Sequence, residues 1–277
     1  MFGQVRRKTF LLPMLVGAIG SATAQSPDPD VEQIRMQFSQ SAANFKIQGG
    51  LDGQLSLELQ SNPILNWSNP ERRTSAGGLF LWTLDGLPAV AMAAYPTENQ
   101  GVDNEFQSLS QGPLIAFAGS ESIWNPRDAG ISMTPLLNSP VPAHTAAGRM
   151  LQMRRLAREF DAKLVPPKRT EIPLRLLATP IYRYPESVTA KNLVDGAMFA
   201  FVQGTDPEVL LRIEAVSSVD GEAPWRYGLA RMSIVPTEVR HREDLVWQTQ
   251  WAIQNRSTPY YVYKTQLMQV PALPATE

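Results

Sequence analysis

The chain has 277 residues, 43% hydrophobic and 18% charged, with a net charge of −1. It is apolar enough to pack a core and unsuited to disorder throughout, and it carries no basic footprint for nucleic acid. The absence of cysteine excludes disulfides, thiol nucleophiles and thiolate-held metals, and two histidines, His144 and His241, are too few for a multi-histidine metal site.

The chain opens on Arg6, Arg7 and Lys8, an apolar run from Phe10 to Ile19, and the small residues Ala22-Thr23-Ala24. This three-part pattern predicts a secretory signal peptide over residues 1–24, cleaved before Gln25. Its apolar part is well short of the ~20 residues that span a bilayer. Without those three cations, 22 basic side chains face 26 acidic ones, a net charge of −4. An exported, periplasmic or extracellular protein is expected, with no transmembrane helix in the mature chain.

Asp30 and Glu32 suit a helix start. Val31, Ile34, Phe38, Ala42 and Phe45 then form one apolar helical stripe, ended by Gly49-Gly50. Leu55, Leu57 and Leu59 alternate with polar residues, as a half-buried strand does. Gly77 to Val90 reads as a hairpin, with Asp85-Gly86 at the tight turn.

Much of this order recurs. Met150, Met153, Ala157, Phe160 and Leu164 repeat the stripe, and Ile172, Leu174 and Leu176 repeat the alternation. Gly196 to Val209 repeats the hairpin, with Gly77, Phe80, Pro88 and Val90 identical in Gly196, Phe199, Pro207 and Val209. The offset grows along the chain, from 115 at Phe45 and Phe160 to 123 at Trp124 and Trp247, as small loop insertions would produce. The expected fold is therefore α+β. It has two tandem, pseudo-twofold repeats, each one helix packed on an antiparallel β-meander, in a cystatin-like element order. The first repeat spans 25–140 and the second 141–265. A Pro-rich tail covers 266–277. Tyr260, Tyr261, Val262 and Tyr263 suggest a last strand that closes or caps a sheet.

Four phrases carry a family resemblance: Glu105 to Ser110, the helix Leu151 to Phe160, the stretch Asp195 to Leu211, and Trp225 to Ala230. Together they resemble a group of uncharacterised exported proteins of planctomycete-type bacteria. The resemblance implies export and a shared fold. No activity, cofactor or site residue comes with it.

Chemistry is sparse. A serine triad needs a histidine base, but His144 begins a helix and His241 sits in a charged turn. No serine occupies a G-x-S-x-G elbow. Glu105, Asp195 and Glu214 are the carboxylates a glycosidase-type mechanism would draw on. Glu214 shares a strand face with Arg212 and reads as half of a solvated ion pair on an outer face. Arg149, Arg154, Arg155, Arg158 and Lys163 read as the solvated face of the second helix. Neither a calcium loop nor a phosphate loop is present, so no cofactor or metal is expected.

Aromatics are the least ordinary feature: Trp225, Tyr227, Trp247, Trp251, Tyr260, Tyr261 and Tyr263 crowd the last fifth of the chain. Such rings fill sheets, stack on sugars or anchor interfaces. Where the paired stretches disagree, charge enters the later one: Arg183 against Asn66, Arg212 against Ala93, Glu214 against Tyr95. A ligand-binding surface is accordingly expected near Arg183, Arg212 and Trp225. The function expected is a non-catalytic binding or structural module of the cell envelope, its partner a protein or a glycan. The alternative is an envelope hydrolase using carboxylates in a cleft between the repeats.

Overall fold

A computed structural model describes residues 29–50, 52–97, 101–188, 192–217 and 224–266. The expected signal peptide lies outside the described residues, as does the Pro-rich tail beyond Gln266. Helix α1 (Pro29–Ala43) is followed by β1 (Phe45–Gly49), β2 (Leu55–Ser56), β3 (Glu58–Leu59) and β4 (Leu65–Asn69). The long strands β5 (Thr74–Leu84) and β6 (Leu87–Pro96) come next, then β7 (Gly101–Ser108), β8 (Leu114–Ala118), β9 (Glu121–Trp124) and the short β10 (Met133–Pro135). Helix α2 (Ala146–Ala157) leads to β11 (Phe160–Leu164), β12 (Ile172–Leu176), β13 (Tyr182–Arg183), β14 (Leu193–Gln203) and β15 (Asp206–Val216). The remaining strands are β16 (Trp225–Arg231), β17 (Thr237–His241), β18 (Asp244–Thr249) and β19 (Tyr260–Gln266).

These strands form three antiparallel sheets. One is β2-β1-β8-β9. The second is β19-β7-β6-β5-β3, with β4 also on β5. The third is β10-β16-β15-β14-β12-β11-β17-β18, with β13 also on β14. The expected α+β fold of two helix-on-meander repeats is overturned. Strands hold 51% of the described residues and helices only 13%, and large antiparallel sheets dominate. The helices are covers rather than organisers.

The physical reason lies in the long strands. A meander strand under one helix has a wet face, whereas β5, β14 and β15 are buried at nearly every position. One face of each packs outward. Phe80, Trp82 and Met92 meet Phe38 and Ala42 of α1, and Phe199, Leu211 and Ile213 meet Met153 and Leu156 of α2. The other faces meet one another. Leu79, Leu81 and Ala91 of the six-stranded sheet share a core with Met198, Ala200 and Leu210 of the nine-stranded one. The molecule is thus sheet packed on sheet, each with an outer cover.

Two elements cross between the sheets. β10, which precedes α2, pairs with β16, and the last strand, β19, pairs with β7. Both helices are also shorter than their apolar stripes. Phe45 and Phe160 each begin a strand with a buried-exposed-buried-intermediate-buried pattern. There a period of two replaces the helical one, and Leu164 belongs to β11 rather than to α2. The Asp85-Gly86 turn forms as its residues dictate, with φ of 50° and 78°. Among the described residues, no helix is long and apolar enough to cross a membrane.

Candidate functional site

Charge collects where the sheets meet. Asp206, Glu208, Arg212 and Glu214 are all buried along β15. Arg212 reaches across the interface to the carbonyl oxygens of Leu109 (3.1 Å) and Pro88 (3.4 Å) on the facing sheet. It also donates to the Tyr184 hydroxyl at 2.8 Å and to Glu214 Oε1 at 2.5 Å. Tyr184 donates to the same Oε1 at 2.7 Å, and Arg226 holds Oε2 at 2.6 Å. Burial alone would push the Glu214 carboxyl up. The Arg212 charge, the Tyr184 hydroxyl and Arg226 outweigh it and hold the group below the ordinary carboxylate range. The expected solvated pair is therefore sealed inside.

A second cluster closes the other end of the interface. Arg72, in the turn after β4, pairs with Asp206 at 3.3 Å and with Glu208 at 2.6 Å. Asn69 donates to Asp206 at 3.2 Å. Burial, only partly offset by Arg72, raises Asp206 to about 6 and Glu208 to about 7. Glu105 accepts from the Tyr260 hydroxyl. Its own burial keeps its carboxyl well above the usual range, against the pull of that bond. The sequence reading singled out Glu105 and missed Asp206, Glu208 and Arg72. The available signal was charge at alternate positions inside the apolar run of β15.

Of the three expected ligand-binding residues, two belong to one neighbourhood. Arg183 donates to Asp195 Oδ2 at 2.8 Å and to the Ala146 carbonyl at 3.0 Å. Arg149 holds the same Asp195 oxygen at 2.9 Å. Together with Tyr184 and Glu186 they line a polar cleft of about 330 Å³. Tyr184 then links this cleft to Arg212. Trp225 lies elsewhere, on the α2 face of the same sheet. It is fully buried, and its indole N–H donates to the Pro140 carbonyl at 2.7 Å. His241 is tied to Glu159 at 3.1 Å beside Phe160, and His144 is exposed. Among the described residues, no cluster of acidic and histidine side chains is placed to hold a metal ion.

An aromatic groove of about 340 Å³ lies where β7, β16, β18 and the β18–β19 loop converge. Trp247, Trp251, Pro259 and Tyr260 wall it, with Gln107 and Arg231 among its polar members. The loop is held in place from both sides. The Trp124 indole donates to the Thr258 carbonyl at 2.8 Å, the Ala252 amide to Ile234 and the Ser108 amide to Pro259. Arg231 stacks on Tyr260, 5.0 Å from the ring centroid. Beside this groove Trp251 is 50% exposed and Ile253 74%. No protein-family model, curated protein or solved structure matches the chain, so its chemistry is read from this geometry alone.

Proposed function

We propose that the protein is an exported, non-catalytic binding module of the cell envelope, with the aromatic groove as its contact surface. Export rests on the Arg6–Ala24 pattern, which also fits the resemblance to exported proteins. The binding reading is carried by one observation. The space between the two large sheets is filled with apolar side chains, and the acidic groups there are buried, Glu214 held by Arg212, Glu208 ion-paired with Arg72 and Glu105 bonded to Tyr260. A hydrolase needs carboxyl groups that a substrate reaches. Here Glu208 and Glu214 are 0% and 1% exposed, and Glu105 is committed to Tyr260. The groove, by contrast, is open to a partner.

Two measurements test this. N-terminal sequencing of the protein recovered from the producing cells should start at Gln25 and find the chain outside the cytoplasm. The chain from Gln25 should also co-sediment with purified envelope material, and Trp251→Ala should lose that retention while keeping its fold. Equal retention by the variant overturns the assignment of the groove.

A further inference from the structure

We infer that the groove binds an uncharged saccharide, an inference that deepens the binding-module reading and rests on it. The first support is the shape and chemistry of the walls. Trp247 and Trp251 offer aromatic surface at a concavity of about 340 Å³, within the range of small-molecule sites. One face of a sugar ring is a sheet of C–H groups that covers such rings, while its hydroxyls remain at the rim.

The second support is a buried acceptor. Gln107 is 2% exposed and lines the groove. Its amide nitrogen donates to the Ser108 carbonyl at 2.7 Å and to the Gly130 carbonyl at 3.2 Å. Both partners are acceptors, so the orientation of the amide is fixed and Oε1 is the atom left over. That oxygen is buried and has no hydrogen-bond donor. An orphaned buried acceptor costs about 1–3 kcal/mol. A ligand hydroxyl that donates to it recovers that cost, whereas an acyl chain does not.

The third support concerns charge. Arg231 is the charged residue that lines the groove, and three of its five N–H groups are already engaged. It donates to the carbonyls of Ser233 at 2.7 Å, Gln250 at 3.0 Å and Val235 at 3.3 Å. A cationic ligand finds no lining carboxylate, and an anionic one finds a single guanidinium already bound to three backbone carbonyls. The ligand that fits carries hydroxyls and no charge.

The test is a tryptophan-fluorescence and calorimetric titration of the chain from Gln25. The probes are uncharged glucose and N-acetylglucosamine oligomers of β and α linkage, an acidic oligosaccharide, and a neutral unstructured peptide. At least one uncharged oligomer should bind at millimolar concentration or below. Trp251→Ala and Gln107→Leu should each weaken it about tenfold or more, about 1.4 kcal/mol. Since Trp251 is half exposed, its variant keeps the test valid even if Gln107→Leu fails to fold. If no uncharged oligomer binds, or only the acidic sugar or the peptide binds, the saccharide assignment is overturned. Trp251-dependent retention by envelope material would then still uphold the broader binding reading. Loss of both would remove both.

Discussion

A β-carbon at position 196 would stand 2.3 Å from Cε2 of Tyr184, so the tyrosine ring lies flat where any residue but glycine carries a side chain. That ring delivers its hydroxyl to Arg212 and Glu214, which ties an unremarkable glycine to the buried charge cluster. Gly196→Ala should therefore push the ring away and pull the hydroxyl out of register. The expected loss is about 1–3 kcal/mol, read as a lower urea midpoint at an unchanged slope. Tyr184→Phe keeps the ring and deletes the hydroxyl, and should cost about 1–3 kcal/mol by leaving buried partners short. A wild-type midpoint for Gly196→Ala would show that the ring is not pinned there.

Glu214 has three donors, and Arg212 supplies the buried positive charge among them. Arg212→Met should cost about 1–3 kcal/mol, because it leaves a carboxylate that is 1% exposed with Arg226 as its remaining cation. Replacing both members should cost less, since an apolar pair of similar size avoids the buried charge. Urea unfolding of Arg212→Met and of Arg212→Met with Glu214→Leu checks this. The prediction fails if the double variant is the less stable of the two.

That same pair shows how far the sequence could be read. Alternation correctly places Arg212 and Glu214 on one face of β15. It does not say what covers that face, and a charged face normally means water. Here the cover is the facing sheet, through the carbonyls of Pro88 and Leu109, residues more than 100 positions away in the chain. Local chemistry was legible where it is decided locally, as in the Asp85-Gly86 turn and the last strand at Tyr260. The helix stripes ran on into Phe45 and Phe160 because apolar spacing alone does not mark where a helix gives way to a strand. The late aromatic cluster was visible, but its division was not. Trp247, Trp251 and Tyr260 line the groove while Trp225 fills the core, and only sheet packing separates them. Gln107 gave no signal, because its role depends on Gly130 closing one side of its amide.

The cluster of Arg72, Asp206, Glu208 and Glu105 gives stability a pH dependence of definite sign. Burial raises all three carboxyls, Asp206 to about 6 and Glu208 to about 7. The folded chain thus holds protons that the unfolded chain, with ordinary values of 3.8 and 4.5, has released. Stability should rise as pH falls from 8 through 7 and 6 towards about 4.5, and be lost again as pH climbs back through 6 and 7. Glu214, held low, acts in the opposite sense, and its contribution disappears only as pH falls below 4.5. Urea midpoints at pH 8, 6.5 and 5 should therefore increase in that order. Glu208→Gln, which keeps the shape without the titration, should flatten the trend. A midpoint that falls between pH 8 and 5 would contradict the assigned direction.

Two tryptophans separate architecture from binding. Trp225 is buried beneath α2 and donates to the Pro140 carbonyl, which fastens the segment before α2 onto β16. Trp225→Phe removes that bond and part of the packed ring. It should cost about 1–3 kcal/mol and leave retention by envelope material unchanged wherever the chain is folded. Trp251 presents half of its surface to solvent beside the groove, so truncating it removes little packing. Trp251→Ala should shift the unfolding free energy by no more than about 0.5 kcal/mol while abolishing retention. The two effects should be crossed, one variant losing stability and the other binding. If folded Trp225→Phe loses retention and Trp251→Ala keeps it, the contact surface lies near α2 and Arg183 instead.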